Sequence, residues 1–156
     1  MALKGDRKPV HVNISHFLNE TAERGAFVCH TSTANASGAA MDQGTNLVTV
    51  AANPSGLKIC GVLMNDMVNI DQTRQTINFH KDEVQKGGKV TVMKVGEITT
   101  NFIYPGVTPG VGDPAYVVHS GYLTSTNGGA AATPLVGRFL TKKDEDGYAK
   151  VWINVL

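Results

Sequence analysis

Apolar residues alternate with polar ones at a period of two in this chain, and turn residues cut the runs short. Val10, Val12 and Ile14 alternate with His11 and Asn13, Ile77 and Phe79 with Asn78 and His80, and Val151, Ile153 and Val155 with Lys150, Trp152 and Asn154. Successive strand side chains point to opposite faces, so each run reads as a half-buried strand. Further β-rich runs cover 27–31, 47–51, 57–64, 89–95, 99–104, 115–119 and 135–141. Pro54-Ser55-Gly56, Gly87-Gly88, Pro105-Gly106, Pro109-Gly110, Asp113-Pro114, Asn127-Gly128 and Asp146-Gly147 punctuate them. Many short strands between such turns predict an all-β domain, a barrel or a sandwich. Helical signals are few. Ser15 caps a predicted short helix over 16–23 that stops at Gly25, and 82–86 offers one more turn.

The charge count excludes some partners. The 14 Lys+Arg nearly cancel the 13 Asp+Glu, for a net charge of +1. That balance lacks the basic footprint of a nucleic-acid binder or a membrane-surface helix. Lys4, Asp6, Arg7 and Lys8 precede any apolar run, so no signal peptide is expected, and no run is long enough to span a membrane. The two cysteines, Cys29 and Cys60, are far apart in sequence and read as free, buried thiols.

Residues 1–45 differ from the rest. They open on a charged stretch, continue into Val10/Val12/Ile14 and end in a small, polar run at 31–40. A second such run covers 124–132. Residues 1–45 therefore read as an extended N-terminal arm and linker, and 46–156 as the β-domain. The arm's apolar strand suits addition to the sheet edge of another subunit. Val10, Val12, Ile14 and Phe17 are its contact candidates. Trp152 joins them from the last strand, where it falls on the face opposite Val151 and Ile153 and either covers a small second core or contacts another subunit.

Chemistry finds no foothold in the spacing. No GxSxG is present, and Cys29 and His30 are neighbours on a strand and so face apart. His11, His16, His30, His80 and His119 show no metal-ligand spacing. Asp144-Glu145-Asp146-Gly147 lacks the alternating ligands of a calcium loop and reads as a hairpin turn. The glycines form no phosphate cradle. No catalytic, cofactor or metal-binding residue is therefore expected, and no cofactor.

The order of several C-terminal segments resembles a known family. Gly112-Asp113-Pro114-Ala115-Tyr116-Val117-Val118, Gly121-Tyr122-Leu123-Thr124, Pro134-Leu135-Val136-Gly137-Arg138-Phe139-Leu140 and Asp144-Glu145-Asp146-Gly147-Tyr148 follow one another as in the capsid decoration, or cement, proteins of tailed bacteriophages. Upstream, Gly61-Val62-Leu63-Met64-Asn65-Asp66 and His80-Lys81-Asp82-Glu83-Val84 are similar to related virion proteins, so the resemblance spans about 57–156. It implies a small β-barrel, β-tulip-like or jelly-roll-like domain on the outer capsid surface of the virion, made in the host cytoplasm. The implied partners are the major capsid protein and the protein itself, as a homotrimer or a dimer, with neither nucleic acid nor membrane. The implied role is non-enzymatic, stabilising the capsid by bridging major capsid protein subunits. A head fibre, tail or baseplate module is the alternative, and a small trimeric β enzyme a more distant one.

Overall fold

The computed structural model describes residues 2–31, 46–50, 52–66, 82–128 and 133–155. The Ile77/Phe79 alternation, all of the 31–40 run except Thr31, and residues 129–132 lie outside these.

The strands are β1 (Lys8–Leu18), β2 (Ala22–Glu23), β3 (Phe27–Thr31), β4 (Leu47–Thr49), β5 (Ile59–Asp66) and β6 (Glu83–Val84), followed by β7 (Lys89–Thr100), β8 (Pro114–Val117), β9 (Leu123–Thr124), β10 (Leu135–Phe139) and β11 (Ala149–Asn154). The all-β expectation holds. Nine strands form one sheet in the order β1-β4-β3-β5-β7-β11-β10-β8-β9, and β2 pairs with β6. β1 also pairs with β7, so the ladder from β1 through β4, β3, β5 and β7 returns to its start. The large sheet as a whole is not one closed barrel, since β9 stands at its far end.

β7 is the shared wall. Val90 and Val92 pack into one core with Leu18, Val28, Val48, Cys60, Leu63 and Val84. Met93 and Ile98 pack into a second with Leu3, Phe27, Val62, Phe139, Val151 and Ile153. Val92 and Met93 are neighbours on the strand and so face opposite sides, one into each core. Gly96 sits in β7 at φ +151°, with the Lys8 carbonyl oxygen of β1 only 2.6 Å from where a Cβ would lie. Only glycine allows that approach.

Local signals failed at two places. The helix expected over 16–23 is instead the end of β1 followed by β2, and the turn expected over 82–86 contains strand β6. Ser15 does not start a helix: its N–H donates to Asn13 Oδ1 at 2.7 Å, and the chain carries on beside β7. Pairing with a partner strand outweighs so short a helical preference.

The segment 2–18, part of the arm expected to reach another subunit, pairs within its own sheet. β1 lies antiparallel along β7 from Lys8 opposite Glu97 to Phe17 opposite Lys89. Ahead of β1 the chain is latched: the Lys4 N–H donates to the Thr99 carbonyl at 2.9 Å, and Thr100 Oγ1 donates to the Ala2 carbonyl at 2.8 Å. Leu3 and Leu18 are fully buried. Each such side chain contributes about 1.5–3 kcal/mol when removed from water, which is ample reason for the segment to stay home.

Candidate docking surface

β1 changes character along its length. Its last turn of sequence is buried, yet Val10, Val12 and Ile14 are 69%, 41% and 49% exposed. The register explains why. Val10 is an extra residue between Pro9, opposite Gly96, and His11, opposite Val95. Val12 pairs with Met93, whereas Asn13 pairs with Val92, whose side chain points to the other core. Between Asn13 and His16 the strand then spends three residues on two of β7. Such bulges reverse which residues face inward. Hence His16 and Leu18 are buried while the aliphatic residues before them are turned to solvent.

The other edge of β1 is open. Only Phe17 and Leu18 pair with β4, so among the described residues no strand covers that edge over 8–16. An uncovered edge with apolar side chains is a template for pairing with another chain.

Trp152 keeps its expected side. Val151 and Ile153 are fully buried, and the indole is 38% exposed. It stands between Glu97 of β7 and Arg138 of β10, with Lys8 of β1 next in the same row. With strands about 4.8 Å apart, this sets Trp152 roughly 10 Å from the start of β1. Val10 and Trp152 therefore share one neighbourhood. Phe17 does not: it is half-buried at the opposite end of β1, beside Lys89. Gly137 lies so close to the Trp152 backbone that a Cβ there would overlap its carbonyl oxygen. Leu135 and Val111 are also exposed, and the sequence reading passed over both. Their flanks carry the signal: Leu135 precedes the buried Val136, and Val111 lies within the Gly110-Val111-Gly112 turn.

Ion pairs frame this region. Lys150 Nζ lies 3.1 Å from Asp6 Oδ2 and 3.2 Å from Glu97 Oε1. The Asp6 hydrogen bond, then that of Glu97, raises its pKa. Lys4 Nζ approaches Asp144 Oδ2 at 3.4 Å and lies 4.2 Å from the centre of the Tyr148 ring. The Tyr148 N–H donates to Asp144 Oδ1 at 2.6 Å and, with Lys4, holds that carboxyl below the usual carboxylate range. This is the Asp146-Gly147 hairpin read from the sequence, now joining β10 to β11.

A second group of side chains meets where no spacing pointed. His16 of β1, His30 of β3 and Cys60 of β5 bring one potential ligand atom each within 4.8 Å of the others. The imidazoles meet edge to face, with centroids 5.3 Å apart. His16 is only 7% exposed, and neither of its ring nitrogens has a hydrogen-bond partner. Burial, then His30 and Lys94, lowers its pKa, while the Asn46 backbone carbonyl beside the ring raises it from a contact that falls outside hydrogen-bond geometry. Burial, then Lys94 and Lys58, lowers that of His30. Burial pushes the Cys60 thiol up to about 11, with Lys94 opposing and Cys29 adding. Both cysteines are free and buried, as read from the sequence.

Among the described residues the module is all-β, with Val10, Val12 and Ile14 exposed along a strand edge that no other strand covers. The chain belongs to the structural cement protein family of phages: the family's sequence model, described as structural cement protein (E217 gp24/Pam3 gp6), matches residues 10–154. No curated protein matches the chain.

Proposed function

We propose that the protein attaches to the outer surface of a phage capsid and stabilises the shell by bridging neighbouring major capsid protein subunits. Membership of the cement family makes it a virion structural component. The observation that carries the finer reading is the open edge of β1 with Val10, Val12 and Ile14 exposed along it. A capsid segment laid on this edge pairs with its backbone groups and covers the aliphatic side chains. Trp152 adds a large rim contact nearby. Copies assemble as homotrimers, so that several weak contacts act together on one particle. The role is non-enzymatic.

The test is co-sedimentation of purified protein with capsids stripped of it, followed by cryo-EM of the decorated particle. Wild-type protein is expected on the outer surface across subunit boundaries. The triple variant Val10→Asp/Val12→Asp/Ile14→Asp is expected to stay folded and lose most binding. Wild-type attachment by the triple variant, or density in the tail instead of the shell, would overturn the reading. Sedimentation equilibrium checks the trimer, and a monomer at micromolar concentration removes that part.

A further inference from the structure

We propose that His16, His30 and Cys60 form a binding site for a zinc-like divalent cation, held by two imidazole nitrogens and one thiolate with a fourth position open to solvent. Tetrahedral zinc has Zn–N of about 2.0–2.1 Å and Zn–S of about 2.3 Å, so two nitrogens and one sulfur lie about 3.3–3.6 Å apart. Ligand atoms already within 4.8 Å of one another need only small side-chain rotations to reach that spacing.

The second observation is His16 itself. A buried imidazole with neither nitrogen partnered is costly, because buried polar groups are normally hydrogen-bonded. A metal–nitrogen bond satisfies one of them. His30 is exposed overall, which gives the ion a route in from solvent. Two histidines with one cysteine favour zinc over calcium or magnesium, which prefer oxygen.

Each imidazole binds the ion through an unprotonated ring nitrogen. The thiol must give its proton to the buffer as the metal–sulfur bond forms. Lys94 and Lys58 face the cluster and oppose a dication, and the thiolate offsets part of that charge. Once bound, the ion ties β1 to β3 and β5, strands that are distant in sequence. Because it binds only the folded chain, it raises thermal stability.

The full-length protein, reduced and stripped of metal, is titrated with Zn²⁺ by calorimetry and with Co²⁺ as an optical probe. One Co²⁺ per chain is expected, with a thiolate-to-cobalt charge-transfer band that Zn²⁺ abolishes, and a Tm that rises with Zn²⁺. Cys60→Ser is expected to lose the band. His30→Ala, at an exposed position where folding is not at stake, is expected to weaken Zn²⁺ binding at least about tenfold. His11→Ala, an exposed histidine outside the cluster, is expected to bind as wild type. The proposal fails if micromolar Zn²⁺ shows no saturable binding, or if His30→Ala binds as tightly as wild type. It also fails if the band survives in Cys60→Ser and vanishes in Cys29→Ser.

Discussion

β1 and β11 carry the same signal in sequence and end in opposite situations. Both alternate three aliphatic residues with polar ones. In β11 the alternation is obeyed: Val151 and Ile153 are fully buried, and Trp152 and Asn154 face out. In β1 the aliphatic residues Val10, Val12 and Ile14 are the exposed ones. β11 lies inside the sheet, in unbroken register with β7 on one side and β10 on the other. Among the described residues β1 has β7 on one side only over most of its length, and its register shifts three times. Period two therefore says that a strand has an apolar face. What covers that face depends on its neighbours and its bulges.

The largest effect is expected from removing residues 1–18. The deletion strips β7 of a full-length partner and uncovers the core around Leu3 and Leu18. The truncated chain should show no cooperative urea transition. A folded truncation would mean that β1 is an arm after all, and the comparison would collapse.

Aspartate substitutions make the contrast direct. Ile153→Asp places a charge in a dry core and should cost more than about 4 kcal/mol, whereas Val12→Asp should stay within about 1 kcal/mol. Matched urea titrations read both, and equal costs would break the distinction. Within β1, Leu18→Ala should cost about 2–5 kcal/mol and Ile14→Ala less than about 1 kcal/mol. That pair locates where along the strand burial begins.

The smallest effect concerns the β10–β11 hairpin. The Asp144 carboxyl is held below its ordinary range, so the stability it contributes is present above that range and is lost as pH falls through its folded value. Asp144→Asn should lower the Tm slightly at neutral pH, leave it nearly unchanged in acid, and so flatten the acid side of the Tm-versus-pH curve. An unaltered acid limb would show that the hairpin does not depend on this group.

Much of the strand framework was legible because it is written locally. The run at 27–31 is β3 to the residue, 89–95 lies within β7, and 135–141 covers β10 and overruns it by two residues. The misread helix at 16–23 shows the limit, since a polar Ser15 before Phe17 and Leu18 fits a cap as well as a bulge. Phe17 was grouped with Val10, Val12 and Ile14 from position alone, but the register places it at the far end of β1.

The sequence by itself determined that the chain is all-β, where most strands and turns fall, and that Trp152 opposes the core face of its strand. These follow from side-chain alternation and turn chemistry, which act over a few residues. Only the tertiary structure decided that β1 runs along β7, that its bulges turn Val10, Val12 and Ile14 outward, and that His16, His30 and Cys60 converge. Those outcomes come from hydrogen bonds between strands far apart in the chain. A one-residue change in register there reverses which side chains face the core, and no local pattern encodes that choice.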